Sequence, residues 1–341
     1  MDLKDYINLK PQTLTIIPTH KCTATCEECC FRCTPQVETI MEYYKIEQYI
    51  DEAINSFPSI EVVVITGGEP FLLGDKLHLA IKRAASHKRI TRIVTNGYWA
   101  STYENAIQKL TPLKDAGLTE INFSTGDNHQ KFVPFDNIVY GTRAAYHLSI
   151  KPICISVESP PNANFKASDV QDNVLLAPII NEGFLLVLNA AWMRFKVKHS
   201  NEDNNLSFNL ENLGQYTSCR NLYGNIVINP YSQMLACCGL SVEYNEYLKL
   251  GSLEDNSMVD LYYQQYDDLF KFWLHVDGPA YIYDKILKIR GVKKDFFPHE
   301  CAYCMELVKD KENISVLKQI LKKELPSIIY RYEMRKKKLI V

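Results

Sequence analysis

Between Cys22 and Cys33 the chain reads Cys-Thr-Ala-Thr-Cys-Glu-Glu-Cys-Cys-Phe-Arg-Cys, five thiols in twelve residues. Such density asks for a metal, because soft sulfur ligands select iron–sulfur clusters and zinc. Cys22, Cys26 and Cys29 stand close enough along the chain to hold three corners of one iron–sulfur cube. A cube ordinarily takes four protein ligands. A loop with three leaves one iron open, much as catalytic zinc keeps an open position, and chemistry can enter there. A structural zinc knuckle or a disulfide cluster is the plainer reading of the same residues.

Further chemistry-bearing groups close successive apolar runs. Ile60 to Ile65 ends in Thr66-Gly67-Gly68-Glu69-Pro70, where two glycines let a backbone approach a ligand and Glu69 offers an acceptor for an ammonium group. Ile90 to Val94 ends in Thr95-Asn96-Gly97, and Ile121 to Phe123 ends in Ser124-Thr125-Gly126-Asp127-Asn128-His129. Asp127 and His129 could face a substrate, although Asp, Asn and Gly also build turns. Later, Cys219, Cys237, Cys301 and Cys304 suffice to close a four-thiolate site, with Cys238 able to replace Cys237. Structural zinc would serve those four equally well.

The elements that must position these groups alternate between strand and helix. Leu14 to Pro18 reads as a buried strand with the cysteine loop at its carboxyl end, and Ile46 to Phe57 recurs at helical spacing. The pattern repeats through a helix at Leu77 to Ala84, a capping box at Ser101-x-x-Glu104, and helices at Asn137 to Leu148 and Asp169 to Asn181. Pro152 to Val157 and Phe184 to Leu188 supply the fifth and sixth strands, with Cys154 expected to pack as a small apolar side chain. Such alternation implies a parallel sheet with right-handed crossovers, and in parallel folds the carboxyl edge of the strands is where sites are built.

The composition of residues 199–211 shifts toward Asn, Ser and acids, which marks a boundary. Beyond it we expect a hairpin from Ile226 with Cys237 and Cys238 on its second strand, one long helix from Met258 to Trp273, and a terminal helix from Asn313 to Lys338 broken near Pro326. The expected division is an N-terminal arm (1–13), a barrel (14–198), a linker (199–214), a small α+β domain (215–310) and a terminal helix (311–341).

With 38 Lys plus Arg against 40 Asp plus Glu, no global field advertises nucleic acid or an anionic membrane. No apolar run is long enough to span a bilayer, and Met1 to Lys10 lacks the layout of a signal peptide. A cytoplasmic protein is expected, in which clustered thiols serve metals rather than disulfides.

The Cys22-x3-Cys26-x2-Cys29 loop, followed by Gly67-Gly68-Glu69-Pro70 at the end of the second strand, resembles the radical S-adenosylmethionine superfamily. The resemblance implies a partial (β/α)6 barrel. It implies a [4Fe–4S] cluster on the three cysteines whose free iron is chelated by S-adenosylmethionine. One electron then cleaves the sulfonium to a 5′-deoxyadenosyl radical. Gly67 to Pro70 would hold the methionyl amino group, and Ser124 and Asn96 the ribose and carboxylate. Cys219, Cys237, Cys301 and Cys304 resemble a SPASM or twitch extension holding one auxiliary [4Fe–4S] cluster. The chain departs from the family pattern at Glu28, where an aromatic residue is usual, and at Ser232, where the hairpin glycine stands. Phe31 is expected to supply the missing packing.

Enzymes of this architecture most often modify ribosomally made peptides or proteins by crosslinks, thioethers, epimerisation or oxidation, drawing electrons from a flavodoxin or ferredoxin. That is the leading expectation. The first strand starts too early in this chain for a separate leader-binding domain before it, which weighs against it. The alternatives are a dehydrogenase or epimerase of a sugar or aminoglycoside, and a non-enzymatic iron–sulfur or zinc protein. Cys30 and Cys33 exceed the need of the first cluster, and Cys33 is the one expected to border the cavity as a catalytic candidate.

Overall fold

In the computed structural model, residues 3, 7, 9–27, 29–159, 162–191, 193, 218–293, 297 and 299–337 are described. The expected linker at 199–214 and Glu28 lie outside them. Contacts divide the chain into two compact units. One is Pro11–Arg194 with Ile226–Gln233; the other is Met1–Lys10, Phe195–Asn225 and Met234–Val341.

The first unit runs β1 (Thr13–Ile16), α1 (Tyr43–Ser56), β2 (Val62–Ile65), α2 (Asp75–Ser86), β3 (Ile90–Thr95), α3 (Tyr103–Asp115), β4 (Glu120–Thr125), α4 (Asp127–Gln130), α5 (Phe135–His147), β5 (Ile153–Ser159), α6 (Ala167–Gln171), α7 (Ala177–Asn181) and β6 (Leu185–Ala191). Strands β1 to β6 pair in sequence order, every pair parallel. All carboxyl ends therefore lie along one edge. The segment Ile226–Ile228 adds beside β1, where the Ile228 carbonyl accepts from Ile17 N at 2.8 Å.

The two faces of this sheet differ because strand side chains alternate. Ile93, Ile121, Phe123, Ile153 and Ile155 are at most 1% exposed and face the helices, whose buried stripes include Ile46, Ile50, Ala80, Ile81 and Ala144. The opposite face carries Arg92, Glu120, Asn122, Ser124, Ser156 and Glu158. Cys154 lies on that polar face and is half-exposed, so it does not pack in the core as expected. The alternation that buries Ile153 and Ile155 turns it outward.

Two helix boundaries depart from expectation. The N-cap of α3 is Thr102, which accepts from Asn105 N at 3.1 Å, so the Ser101 capping box does not form. The helix expected over Asp169 to Asn181 is two short ones, since Pro178 lacks an N–H and disfavours helix just before itself, and Asn173 accepts from Leu175 N in the gap.

The second unit contains β8 (Gln233–Leu235), which follows the short β7 (Asn225–Ile228), then β9 (Lys249–Ser252), α8 (Met258–Gln264), α9 (Leu269–Arg290), α10 (Glu300–Lys309) and α11 (Lys311–Lys336). Strand β8 stops at Leu235, so Cys237 and Cys238 lie past it rather than on it. The expected single helix to Trp273 is interrupted by Asp268, which caps α9 by accepting from Phe270 N and Lys271 N. Within α9, Gly278 at φ +74° bends the chain. Pro326 does not break α11: Glu324 and Arg331, on either side of it, pair with Lys285 and Asp277 of α9, and that packing holds the helix through the proline. Among the described residues no helix is long and apolar enough to cross a membrane.

Candidate active site

The cysteine loop leaves β1 and is closed by its own backbone. Cys22 N donates to Thr34 O (3.1 Å), Thr34 N to His20 O (3.2 Å) and Met41 N to Pro18 O (2.7 Å). Its seat is the turn after β2. Gly68 N donates to Thr19 O at 2.8 Å and Glu69 N to Lys21 O at 2.9 Å. A Cβ on Gly68 would stand 1.9 Å from Lys21 O, and one on Gly67, at φ +119°, would stand 2.7 Å from Thr19 O. The space left by the two missing side chains is thus filled by the chain's own loop.

Glu69 is fully buried, with Oε1 accepting from Thr95 Oγ1 (2.8 Å) and Phe71 N (3.1 Å), and Oε2 from Asn96 N (2.8 Å). Burial pushes its carboxyl up to about 7 against the pull of these donors. Thr95 Oγ1 in turn accepts from Trp99 Nε1 (3.0 Å) and Gly97 N (3.1 Å), and Trp99 stacks on Phe71 at 4.1 Å. A carboxylate has about four lone-pair sites, so one on Oε2 is open to an ammonium. Pro70 is buried at the start of a short 3-10 helix, Pro70–Leu73.

The five loop thiols lie close together. Cys22, Cys26, Cys29 and Cys30 are half-buried and Cys33 is 4% exposed. Burial pushes Cys22 up to about 11 and Cys26 up to about 12. Cys29 goes the other way, because the thiols of Cys30 and Cys33 donate to it, which raises those two. Cys33 is thus buried in the loop beside Cys29. Phe31 stacks on His20, which also meets Tyr231 in a T-shaped arrangement at 5.7 Å. Among the described residues no three His, Cys, Asp or Glu side chains meet at one metal position; a cube does not require that, since each thiolate takes its own iron. Three soft donors on one closed loop fit such a cluster.

Asn96, 7% exposed, reaches the loop directly: Nδ2 lies 3.5 Å from Cys22 Sγ and 3.0 Å from Thr23 Oγ1. Ser124 stands on the polar face near the end of β4. Asp127 is occupied by Asn164 N (2.8 Å) and Phe165 N (2.9 Å), which makes it a brace for that loop. His129 lies with Nδ1 3.9 Å from Glu158 Oε2. Desolvation pulls the imidazole down to about 4 and, with the Cys29 charge, pushes the carboxyl up to about 8. Burial thus disfavours the charged form of each partner. Glu158 was absent from the sequence reading; an acid at the end of the fifth strand was the available signal.

In the second unit Cys301 and Cys304 sit one turn apart on α10, whose cap His299 accepts from Cys301 N at 3.1 Å. A Cβ on Gly239 would stand 3.1 Å from Cys301 Sγ and 3.4 Å from Cys237 Sγ, so this glycine makes room between them. Cys237, Cys301 and Cys304 are all raised by burial, and Cys219 is near enough to raise each further. Asn245 Nδ2 lies 3.7 Å from Cys304 Sγ. Cys238 instead turns to Asn221 Oδ1 at 3.7 Å. Cys237 and Cys301 thus flank one glycine, Cys304 lies one turn on from Cys301, and both Cys219 and Cys238 are near enough to influence Cys301; such soft donors fit a cluster.

Residues 16–142 match the family description "Radical SAM superfamily". A stretch of 130 residues is 25% identical to the putative peptide biosynthesis protein YydG of Bacillus subtilis (strain 168), covering 37% of this chain and 40% of that protein. The match thus spans less than half of that relative's length. Among solved structures, native anSMEcpe with bound AdoMet superposes with a TM-score of 0.51 at 12% identity, covering 92% of this chain and 99% of that one. Native anSMEcpe with bound AdoMet and Cp18Cys peptide gives 0.50 at 15% identity, with 93% and 99% covered. These two likenesses speak for the fold.

Proposed function

We propose that the chain, whose residues 16–142 match the radical S-adenosylmethionine superfamily, is a radical enzyme acting on a ribosomally made peptide, with Cys22, Cys26 and Cys29 holding its first [4Fe–4S] cluster. The observation that carries the reading is the closed three-thiol loop seated on the Gly67-Gly68-Glu69 turn. When bound, the cluster supplies the electron that splits S-adenosylmethionine and so provides a hydrogen-abstracting radical. The protein's own work is positioning. Thr19 O and Lys21 O hold the loop on its turn, and Glu69 presents its remaining lone pair for the methionyl ammonium. Ser124 on the polar face takes a cofactor hydroxyl. Desolvated Glu158 and His129 lie together at that edge of the sheet, where a substrate peptide would approach.

Cys219, Cys237, Cys301 and Cys304 hold one auxiliary [4Fe–4S] cluster in this proposal, with Cys238 outside the ligand set because it is turned to Asn221. Four thiolates leave no iron for substrate, so that cluster carries electrons or braces the fold. A flavodoxin or ferredoxin is the reductant. Peptide rather than small-molecule chemistry is favoured by the name of the relative YydG and by the peptide in the anSMEcpe complex.

The test is iron and sulfide content after anaerobic reconstitution, with 5′-deoxyadenosine measured under dithionite, for wild type and for Cys22→Ala/Cys26→Ala/Cys29→Ala. Roughly eight irons in wild type, roughly four in the variant and product only from wild type are expected for two four-iron clusters. Zinc in place of iron, or no 5′-deoxyadenosine, would end the proposal. Incubation with short peptides encoded beside the gene then separates peptide from sugar substrates.

A further inference from the structure

Each unit aims one buried asparagine amide at one thiol of its group. Asn96 is 7% exposed and Asn245 fully buried. In both, the side-chain carbonyl accepts from the backbone N–H two residues on, Tyr98 N for Asn96 and Tyr247 N for Asn245, each at 3.0 Å. This local turn settles which way the amide faces, since the N–H requires the oxygen. The nitrogen is left pointing at sulfur, 3.5 Å from Cys22 and 3.7 Å from Cys304. Asn96 is further fixed by its own backbone N–H on Glu69 Oε2.

Resting on the cluster assignments above, we infer that Asn96 and Asn245 are positioning residues that donate hydrogen bonds to the thiolates of Cys22 and Cys304 and raise the reduction potential of the cluster each thiolate holds. Hydrogen bonds to cluster sulfur are among the determinants of its potential. One electron enters the cluster on reduction with no proton required, and the added negative charge spreads onto the sulfurs. The positive end of an N–H dipole stabilises that reduced form more than the oxidised one. For Asn96 this replaces the expected role as a ligand of the cofactor's ribose or carboxylate. Its donors are already spent on the loop.

The experiment is a dithionite titration of the reconstituted protein followed by electron paramagnetic resonance, using the signal that S-adenosylmethionine perturbs to identify the first cluster. Iron is counted first. Wild type without iron would refute the cluster assignment itself, apart from this inference. In Asn96→Ala the ratio of reduced to oxidised cluster at the wild-type midpoint should fall about tenfold, a shift of about 59 mV for one electron. Asn96→Asp, which puts an acceptor where the donor was, should fall further, and S-adenosylmethionine affinity should hold in both. Asn245→Ala should move only the other cluster. Unchanged midpoints, or affinity for S-adenosylmethionine lost with the midpoint unmoved, would overturn the inference. So would loss of the Cys22 cluster in both Asn96 variants with their circular dichroism intact.

Discussion

Gly68→Ala should lift the cysteine loop from its seat while leaving the rest of the first unit folded. The new methyl would stand 1.9 Å from Lys21 O, far inside the contact distance between carbon and oxygen. Backbone must move, and the two bonds that cross there are the first to go, Gly68 N to Thr19 O and Glu69 N to Lys21 O. Each is worth about 1 kcal/mol net, and overpacking adds about 1–3 kcal/mol. The sum is about 3–5 kcal/mol, or more than two orders of magnitude in the population of seated loop. Gly74→Ala is the control for crowding, because nothing stands within 4 Å of its would-be Cβ, although its φ of +57°, unlike that of Gly68, adds backbone strain of its own. That strain, at φ +57° and ψ −128°, costs about 1–3 kcal/mol. Urea unfolding and iron content after reconstitution should separate the two, with iron in the first cluster lost from Gly68→Ala and kept in Gly74→Ala. Equal iron and equal unfolding midpoints in both variants would refute the idea that this turn exists to seat the loop.

Raised to about 7 from an ordinary 4.5, the Glu69 carboxyl binds protons more tightly folded than unfolded. Its contribution to stability is therefore full below pH 4.5 and lost as pH rises through 7, about 3 kcal/mol in all; urea midpoints at pH 5 and 8 should converge in Glu69→Gln. Arg331→Ala strands the Asp277 carboxylate, 2% exposed and left with Trp273 Nε1 as donor at 2.8 Å, and should cost about 3–5 kcal/mol by denaturant unfolding. Asp127→Ala removes the two carboxylate oxygens that accept from Asn164 N and Phe165 N and should destabilise by about 2 kcal/mol. Its 5′-deoxyadenosine yield per folded molecule should stay at the wild-type level; a fall of tenfold or more would return Asp127 to the substrate side.

The parallel strands and the thiol loop were legible because they depend on local signals. β-branched runs such as Val62–Ile65 allow little but a buried strand, and cysteines at such spacing have few other uses. What escaped depends on partners distant in sequence. Nothing near Pro326 announces that Glu324 and Arg331 pair with Lys285 and Asp277 and hold α11 through the proline. Asp127 looked substrate-facing because Asn164 and Phe165, which engage it, lie beyond β5. Glu158 was missed because a single acid after an apolar strand is common. Only the neighbouring His129 and Cys29 give it a distinct environment. Gly67 and Gly68 were read as room for a ligand because sequence does not reveal that residues 19–21 fold back into that room.

The bond from Trp99 to Thr95 also gives the molecule an optical handle. Trp99 is 5% exposed, its indole N–H is held by Thr95, and through that hydroxyl it touches the Glu69 carboxylate. Trp273, fully buried in the second unit, is held instead by Asp277. The sequence holds three tryptophans, and replacing Trp192 and Trp273 with phenylalanine would leave Trp99 as the sole source of the signal. Fluorescence quenching at Trp99 could then follow cluster insertion and cofactor arrival at the edge of β2 and β3 in real time, without labels.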